Sequence, residues 1–472
     1  MFVQQLYTAC ISEAAYYIES EGVAAIIDPL RDIDTYLQLA KERKATIKYI
    51  FETHFHADFV SGHLDLAAAT GATIVFGPQT KTKYAIHVAK DEEVFTLGKC
   101  TITVLHTPGH TIESCCYLLK DELGKDYAVF TGDTLFVGDV GRPDLSQEDD
   151  EHNTMRNLAT MLYHSLQSKI IPLADDVLVY PAHGAGSSCG KNIGKETFST
   201  IGEQKQTNYA LQEQTVETFI IAVTTGLQTA PVYFSVNAKM NKEGYIALNT
   251  IIDKGLTALS INAFQEKINK NNCIILDTRP SHMFVNGFIP DAIFIGLEGR
   301  FAEWAGSILP FHQPIVLVTE LGKEKETITR LARVGFEKIE GYLDGGFEEW
   351  QNNNLPIDLL IEVEADELAM DIPFDDNLIV VDVRKEVEYN DGHLKQSINI
   401  PLEEMTDPAS MVNLDEHHNI YLHCAGGYRS VIAASLLKKQ GIHNIRNIAG
   451  GWKSIDELKE RFTIEKTTSA LN

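Results

Sequence analysis

The 472-residue sequence contains no apolar run of the about 20 residues that a membrane-spanning helix needs. Its opening stretch, MFVQQLYTACISEAAYYIE, lacks the basic region and apolar core of a signal peptide. Basic residues are few, with 40 lysines and arginines against 66 aspartates and glutamates and a formal net charge of -26. Because phosphate groups bind basic surfaces, we expect neither nucleic acid nor an anionic membrane as a partner.

The seven cysteines are scattered, odd in number and without CxxC spacing. Neither a disulfide framework nor a cysteine zinc site is therefore expected, and a reducing cytoplasm is the simplest location. The remaining composition, 44% hydrophobic and 22% charged, is ordinary for globular proteins. At about 150 residues per domain, the length predicts roughly three domains.

Four short segments rich in histidine and aspartate each follow a strand-like run of β-branched or aromatic residues. They are THFHAD at 53–58, TPGHT at 107–111, TGD at 131–133 and PAH at 181–183. A sheet fixes the loops at its strand ends, and imidazoles and carboxylates held there are able to bind a metal ion. The sequence therefore predicts a metal site.

A second chemical feature is the loop HCAGGYRS at 423–430. Cys424 follows the strand-like run IYLH and precedes the helical run SVIAASLLKKQG, so backbone N-H groups and a helix N-terminus are expected to face its sulfur. With Arg429 nearby, this setting favours a thiolate, which is the nucleophilic form of cysteine.

The second half of the chain contains a duplication. The motifs DTR and DVR begin at Asp277 and Asp382, and LDGG and IAGG end at Gly346 and Gly451; 382 − 277 and 451 − 346 both give 105. Each copy alternates strand-like and helical runs, which predicts a small α/β domain with a parallel sheet. The predicted domains of the whole chain span 1–252, 253–357 and 358–472.

The first copy of the repeat lacks the cysteine. Subtracting 105 from positions 424 and 429 gives Thr319 and Glu324, so the loop LVTELGKEKET reverses the charge of its counterpart. We predict that this copy is catalytically inactive and that it serves packing or interdomain geometry.

Local patterns predict several elements of the first domain. AAYYIES and GVAAIID form a hairpin, DIDTYLQLAKER and SGHLDLAAAT form helices, and KETFSTIGEQKQTNYALQ forms a later helix.

The metal motifs resemble the metallo-β-lactamase superfamily, whose sites follow HxHxDH and then His, Asp and His. Here the series is His54, His56, Asp58, His110, Asp133 and His183. The resemblance implies an αββα sandwich over about half of the chain. One position departs from the pattern, because Phe59 stands where a histidine is expected. A second metal ion would lose a ligand there, which disfavours a dinuclear zinc site.

Within this resemblance, His54, His110 and Asp133 form a two-histidine, one-carboxylate set. Such a set suits one Fe(II) ion per chain and leaves open positions for O2 as co-substrate. The other members of the series then orient the ligands or transfer protons: His56, Asp58 and His183.

Further motifs resemble one branch of the superfamily. FVGDVGRPDL at 136–145 and PAHGAGSSCGK at 181–191 are similar to persulfide dioxygenases, and HCAGGYRS and NIAGGW are similar to rhodaneses. The chain thus resembles a persulfide dioxygenase-rhodanese fusion with one inactive and one active rhodanese domain. This implies iron-dependent oxidation of a small thiol persulfide to sulfite, with glutathione, coenzyme A or another thiol as the carrier.

The same resemblance assigns sulfur transfer to Cys424. Its thiolate is expected to accept a sulfane sulfur, and sulfite would remove that sulfur as thiosulfate; the reverse direction would supply persulfide to the iron. The residues expected to bind the substrate around the sulfur are Ala425, Gly426, Gly427, Tyr428, Arg429 and Ser430. A phosphatase-like role, which uses a similar anion cradle, is the alternative for this loop.

Two residues near the metal motifs are candidates for substrate binding. Arg142 is able to clamp a substrate carboxylate or phosphate, or else it forms an ordinary loop salt bridge. Cys189, six residues after His183, either approaches the iron channel or is a small buried thiol. A homo-oligomer, either a dimer or a tetramer, is expected for such a fusion enzyme.

Two other functions stay open. A thioester hydrolase of the glyoxalase II kind requires two zinc ions and a ligand at the Phe59 position. A non-enzymatic sulfane-sulfur carrier or sensor requires the metal domain only as structure.

Overall fold

The computed structural model describes residues 1–145, 154–412 and 414–467. Within these limits the chain forms two compact units, of which the first comprises Met1–Ile251 and Thr329–Glu337 and the second the remainder. The domain limits at 252/253 and 357/358 stay predictions, and residues 468–472 of the third predicted domain lie outside the described residues.

The first unit is built on two six-stranded sheets in which neighbours along the chain are also neighbours in the sheet. The first sheet consists of β1 (Phe2–Thr8), β2 (Glu13–Ser20), β3 (Val23–Ile27), β4 (Thr46–Phe51), β5 (Thr73–Phe76) and β6 (His87–Val88). The second consists of β7 (Val94–Leu97), β8 (Cys100–His106), β9 (Cys115–Lys120), β10 (Asp126–Gly132), β11 (Leu178–Pro181) and β12 (Ser199–Thr200).

The two sheets pack face to face because successive side chains of a strand point to opposite faces. Tyr16 and Tyr117 belong to the core that the two sheets share. Their neighbours Tyr17 and Leu118 point outward into two further cores, which helices cover. The predicted αββα sandwich is confirmed.

The helices of this part of the chain lie between the strands or follow β12. They are α1 (Asp34–Arg43), α2 (His63–Thr70), α3 (Met155–Ser165), α4 (Ile201–Thr207), α5 (Val216–Thr224), α6 (Tyr233–Glu243) and α7 (Leu248–Gly255). Thr154 directly precedes α3, and its hydroxyl accepts a hydrogen bond from the amide of Asn157 at 3.3 Å. This is the capping arrangement that satisfies a free amide at a helix start.

Residues 329–337 belong to the first unit although the sequence predicted them in the second domain. The carbonyl oxygen of Arg333 accepts a hydrogen bond from the amide of Val60 at 2.7 Å. The Arg333 guanidinium forms two bonds with the carboxylate of Asp32, at 2.9 and 2.8 Å. The loop that carries the first histidine motif is therefore fixed from outside its own sequence neighbourhood.

The second unit contains two five-stranded parallel sheets with the same strand order. The first runs β13 (Ala258–Leu259), β17 (Ile339–Leu343), β16 (Ile315–Val318), β14 (Ile274–Asp277) and β15 (Ile293–Phe294). The second runs β18 (Ile361–Val363), β23 (Ile445–Ile448), β22 (Asn419–His423), β19 (Leu378–Asp382) and β21 (Ser397–Asn399). A small antiparallel pair, β20 (His393–Leu394) and β24 (Ile464–Glu465), lies apart from both.

Helices connect these parallel strands. In the first copy they are α8 (Ile261–Asn271), α9 (Ser281–Val285), α10 (Phe301–Ile308), α11 (Glu324–Arg333) and α12 (Gly346–Asn352). In the second copy they are α13 (Ala365–Asp371), α14 (Glu386–Asp391), α15 (Tyr428–Lys439) and α16 (Gly451–Glu457). None of the helices in the described ranges has the length and apolar character needed to span a bilayer.

The duplication extends to buried contacts. Arg279 pairs with Asp277 at 2.6 Å, and its guanidinium lies 4.1 Å from the ring centroid of Phe347. The same contacts recur 105 positions later, at 2.6 and 4.2 Å, between Arg384, Asp382 and Trp452. Two copies of one α/β domain are therefore present, as the sequence predicted.

The first copy packs directly on the cysteine loop of the second. The hydroxyl of Tyr428 donates a hydrogen bond to the carbonyl oxygen of Gly296 at 2.7 Å. The amide of Phe294 donates to the hydroxyl of Ser435 at 3.0 Å, on the helix that follows the loop. These contacts agree with a packing role for the first copy.

Candidate functional site

The structure brings together all six residues of the predicted metal series in the first unit. They are His54, His56, Asp58, His110, Asp133 and His183. Each lies in a loop after β4, β8, β10 or β11, and none is more than 5% exposed. The expectation that strand ends hold these side chains together is met.

The three predicted ligands surround one point. Nε2 of His110 lies 3.4 Å from Oδ2 of Asp133, and Nε2 of His54 lies 3.8 Å from the same oxygen. One ligand atom from each of the three residues lies within 4.8 Å of the other two. Such separations are those of ligands that share one ion, since each metal-ligand bond is about 2 Å long.

Hydrogen bonds fix which ring nitrogen faces Asp133. Nδ1 of His110 donates to the carbonyl oxygen of Arg142 at 2.8 Å, and Nδ1 of His54 lies 3.0 Å from the hydroxyl of Thr53. That hydroxyl donates to Asp28 at 2.8 Å, so it accepts from His54. The Nε2 lone pairs of both rings are therefore free for a metal ion.

The electrostatics of the cluster also fit a cation. Burial lowers the pKa of His54 well below its usual value, and the adjacent imidazoles of His56 and His110 lower it further. Both carboxylate oxygens of Asp133 are buried and make no hydrogen bond with any described residue. A buried charge without a partner is costly, whereas a bound divalent cation would compensate it and accept the histidine lone pairs.

His56 belongs to a second buried network. Its Nε2 lies 3.0 Å from Asp28 and 3.5 Å from Glu52, and Glu52 also lies 3.3 Å from Nδ1 of His63. Burial alone would lower the pKa of His56, but Asp28 and Glu52 outweigh it and raise the value to about 9. Sequence reasoning missed both carboxylates. Both directly follow a strand, Asp28 after β3 and Glu52 after β4, which is the same kind of position that indicated the histidines.

A third group of donors lies beside the first set. Nε2 of His183 is 3.4 Å from Asp58 and 3.5 Å from Oδ1 of Asp133, while its Nδ1 donates to the carbonyl oxygen of Ser12 at 3.2 Å. The sulfur of Cys189 lies within 4.8 Å of ligand atoms of both Asp133 and His183. Burial raises the pKa of Cys189 well above its usual value, with Asp58 and Asp133 adding to the shift.

Phe59 fills the position at which the superfamily pattern has a histidine. Its side chain is fully buried, and its ring stacks on His56 with the centroids 4.3 Å apart. The phenyl ring offers no metal ligand and holds the His56 imidazole against the site.

Arg142 is buried and bonded to protein groups. Its guanidinium donates to Asp144 at 2.6 and 2.7 Å and to the carbonyl oxygens of Ser188 and Gln228 at 3.3 and 2.6 Å. The arrangement matches the alternative of a loop salt bridge. The neighbouring Gly141 is required by space, because a Cβ there would lie 2.1 Å from the carbonyl oxygen of Asp133.

The predicted cysteine loop has the expected geometry in the second unit. Cys424 follows β22, and the amide of Gly427 donates to its sulfur at 3.1 Å. The hydroxyl of Ser430 lies 3.7 Å from the same sulfur, and helix α15 begins at Tyr428. Gly427 has a φ of 94°, so its amide turns toward the sulfur through a left-handed conformation.

The outer residues of the loop differ in exposure. Ala425 and Gly426 are exposed, whereas the sulfur-bearing Cys424 is only 2% exposed. The guanidinium of Arg429 forms a two-pronged bond with Glu388 at 2.7 and 2.8 Å. This pairing holds the arginine at the rim of the loop.

The first copy closes the corresponding loop with its own side chain. The amide of Gly322, the counterpart of Gly427, donates to the carboxylate of Glu324 at 3.1 Å. Thr319, the counterpart of Cys424, donates to the same oxygen at 3.4 Å. In the first copy the Glu324 carboxylate thus accepts from the Gly322 amide, whereas in the second copy the equivalent Gly427 amide donates to the Cys424 sulfur.

Comparison with known families agrees with this geometry. The metallo-beta-lactamase superfamily model matches residues 10–183, and the rhodanese-like domain model matches 260–353 and 364–458. A solved metallo-beta-lactamase from Staphylococcus aureus is 32% identical, with a TM-score of 0.64, and the match covers 73% of this chain and 98% of that one. This chain belongs to the metallo-beta-lactamase superfamily. It carries two rhodanese-like domains, of which the first lacks the loop cysteine.

Two further relatives match a smaller share of this chain. A probable hydroxyacylglutathione hydrolase of Schizosaccharomyces pombe is 31% identical over 182 residues, which is 38% of this chain and 65% of that protein. The chain thus spans 65% of the length of this curated relative. The solved structure of ETHE1 from Myxococcus xanthus is 30% identical, with a TM-score of 0.44, and its match covers 51% of this chain and 98% of that one.

Proposed function

We propose that the first unit oxidises a low-molecular-weight thiol persulfide with O2 and that Cys424 transfers sulfane sulfur. The observation that carries the proposal is the set of His54, His110 and Asp133 around one point, with Phe59 in the place of a further ligand. Two histidines and one carboxylate suit a single Fe(II) ion with open positions. The motif resemblance to persulfide dioxygenases supports the same conclusion.

The proposed reaction converts RSSH, O2 and H2O into RSH, sulfite and two protons. Fe(II), held by the three ligands, would supply the redox chemistry that allows O2 to react with sulfur. Thr53 and the Arg142 carbonyl keep the two imidazoles in the tautomer that presents Nε2. Asp58 and His183 lie 3.4 Å apart beside this point, and we assign to them the acceptance of the released protons.

Cys424 would carry the second reaction. Its thiolate accepts a sulfane sulfur, and the resulting persulfide passes that sulfur to sulfite, which regenerates the thiolate and releases thiosulfate. The Gly427 amide and the start of α15 face the negative sulfur during both steps.

An oxygen-electrode assay tests the first reaction. The full chain, loaded with Fe(II) under anaerobic conditions, is given the persulfides of glutathione and coenzyme A. We expect one O2 consumed per sulfite formed, and no uptake by Asp133→Ala. Cys424→Ser should keep oxygen uptake and lose sulfur exchange with thiosulfate. Equal loss of both activities in that variant would contradict the assignment of oxygen uptake to the first unit and of sulfur exchange to Cys424.

A thioester hydrolase with two zinc ions is the second candidate. The hydroxyacylglutathione hydrolase names of two relatives favour it. Zinc-loaded protein that hydrolyses a hydroxyacylglutathione thioester, together with iron-loaded protein that consumes no O2 with a persulfide, would establish this function instead. Activity in neither assay would leave a sulfane-sulfur carrier or sensor.

A further inference from the structure

The cysteine loop, residues 423–430, has two basic side chains, those of His423 and Arg429. Burial lowers the pKa of His423, so its ring is neutral and Arg429 is the cation of the loop. We infer that Glu388 balances this cation and thereby makes Cys424 selective for the sulfur of an organic persulfide over the dianion thiosulfate. The inference rests on the proposed sulfur transfer at Cys424 and names the class of sulfur donor.

The fold of the second copy fixes the pair of Arg429 and Glu388. The two terminal nitrogens of the guanidinium donate to the two carboxylate oxygens at 2.7 and 2.8 Å. One of these oxygens also accepts from the Lys385 amide at 3.1 Å, at the start of α14. The side chains of Arg429 and Glu388 are 16% and 36% exposed, so a donor that approaches from solvent meets both charges. Such a two-pronged bond has a defined geometry, so an anionic donor shares the guanidinium with a carboxylate that is already in place.

Arg429 also lies close enough to the sulfur for their charges to interact. Burial alone would lower the pKa of Arg429, but the bond to Glu388 outweighs it and raises the value. The charges of Cys424 and Glu403 act in the same direction. The arginine is therefore placed between the reacting sulfur and two carboxylates, and the carboxylates offset its attraction for an incoming anion.

The reacting sulfur itself is held by uncharged groups. The amide of Gly427 donates to the sulfur of Cys424 at 3.1 Å, and the hydroxyl of Ser430 lies 3.7 Å from it. These donors stabilise a thiolate or a bound sulfane sulfur without a full positive charge. The charge balance beside the loop is thus free to discriminate between donors.

The two classes of donor differ in charge. With RSSH, the Cys424 thiolate attacks the outer sulfur, the S-S bond breaks, and RS⁻ leaves. With thiosulfate, the same attack breaks the S-S bond and sulfite leaves. Both reactions place one sulfur on Cys424 and need no further oxidant or reductant. Thiosulfate brings two negative charges, whereas a persulfide carries at most one on its sulfur atoms, so the carboxylate repels thiosulfate more strongly.

The repeat shows that the acid accompanies the arginine rather than the fold. The first copy has Glu324 at the position of Arg429, and 388 − 105 gives Met283 at the position of Glu388. Helix α9 forms there without the acid. Glu388 is therefore not required for this helix of the domain, and it occurs in the copy that has a cation to balance.

Single-turnover sulfur transfer to Cys424 tests the inference. The full chain, loaded with Fe(II) and kept anaerobic so that no O2 reacts, is mixed with increasing thiosulfate or glutathione persulfide. Mass spectrometry measures the sulfur gained by the Cys424 peptide. We expect wild type to be half-saturated at a lower concentration of the persulfide than of thiosulfate. Glu388→Gln should lower the half-saturating concentration of thiosulfate by roughly three- to tenfold and leave its limiting rate unchanged.

Two further variants separate charge from structure. Glu388→Asp keeps the charge, so its preference for the persulfide should equal that of wild type. Glu386→Gln removes an exposed charge from the same helix and should change the reaction with neither donor. An unchanged or raised half-saturating concentration of thiosulfate in Glu388→Gln would overturn the inference. An equal effect of Glu388→Asp and Glu388→Gln would also overturn it, since both would then act through structure.

Failure of the proposed sulfur transfer gives a different result. In that case Cys424 of the wild type gains no sulfur from either donor. If only the selectivity is wrong, Cys424 gains sulfur from both donors and the preference does not depend on Glu388.

Discussion

The ring of Phe59 stacks on the imidazole of His56, with the centroids 4.3 Å apart and the planes inclined by 29°. Phe59 is fully buried, so Phe59→Ala would remove a large side chain from a packed core and cost about 3 to 5 kcal/mol in the free energy of unfolding. It would also release the His56 ring. Because side chains that orient a metal site contribute about 10- to 100-fold to metal affinity, we expect weaker metal binding by that factor.

Phe95→Ala is the matched control for Phe59→Ala. Phe95 is 8% exposed and lies in the core between the sheets, with its ring 5.3 Å from that of Phe51. Calorimetry should show that Phe95→Ala loses a similar free energy of unfolding. Its metal affinity, measured by competition with a chelator, should equal that of wild type. Equal losses of metal affinity in the two variants would show that Phe59 acts only through stability.

The repeat offers a matched pair of glycines for the cysteine loop. At Gly451 a Cβ would lie 2.4 Å from the carbonyl oxygen of Cys424 and 3.0 Å from the amide nitrogen of Gly427. At its counterpart Gly346 the nearest contact would be 3.3 Å, to the carbonyl oxygen of Thr319. Both have a φ near 60°, so the backbone strain is the same and only the steric conflict differs. We expect Gly451→Ala to abolish sulfur exchange with thiosulfate.

Gly346→Ala should retain sulfur exchange while losing about as much stability from strain. Tryptophan fluorescence measures that loss directly, because Trp304, Trp350 and Trp452 all belong to the second unit. If both variants lose sulfur exchange equally, the loss does not result from the close approach of Gly451 to the cysteine loop.

The sequence predicted the fold well where local patterns and tertiary packing agree. The hairpin at Ser20 and the helix at Asp34 are present as predicted. The helix expected over KETFSTIGEQKQTNYALQ is present but shorter than predicted, since Ile201–Thr207 is α-helical and Tyr209–Leu211 forms only a separate 3-10 turn. Thr200 caps its start by accepting from the Glu203 amide, and the Asn208 side chain donates to the carbonyl oxygens of Phe136 and Asp139 after its end. Those partners lie about 70 positions away in the chain, so no local pattern reveals them.

The site was predictable as far as its side chains stand in motifs. His54, His110 and Asp133 meet because each follows a strand of the same sandwich. The partners of Arg142 and the approach of Cys189 were open from the sequence, because both depend on how the loops at 141–144 and 184–190 fold onto each other. Motif positions alone therefore do not identify every side chain that lies at the site.

The pair of Glu388 and Arg429 predicts a pH dependence for the second unit. Burial alone would raise the pKa of Glu388, but the bonds from Arg429 outweigh it and lower the pKa. A carboxyl with a lowered pKa in the folded state stabilises the fold above its unfolded value of about 4.3. That stabilisation is lost as the pH falls through the lower, folded value. Wild type should therefore be more stable than Glu388→Gln at neutral pH, and the difference should shrink below about pH 4.

Denaturant titrations followed by tryptophan fluorescence at several pH values measure this difference. Glu386→Gln is the control, since Glu386 is an exposed residue of the same helix. Its difference from wild type should stay small at every pH. If the difference in free energy of unfolding between wild type and Glu388→Gln grew on acidification, the pKa of Glu388 would not be lowered by folding.

Metal binding should invert the effect of Asp133→Asn on stability. In the metal-free protein the variant removes a buried charge that has no hydrogen-bond partner among the described residues, which should raise the free energy of unfolding by roughly 1 to 3 kcal/mol. Wild type should gain about 2.7 kcal/mol when the free metal reaches 100 times its dissociation constant, whereas the variant should gain almost nothing.

Asp139→Asn is the control, because that carboxylate accepts bonds from the amides of Lys191 and Asn192 and needs no cation. It should be destabilised equally with and without metal. Calorimetry of the three proteins in both states measures these differences, and a metal-dependent gain in Asp133→Asn as large as in wild type would remove Asp133 from the ligand set.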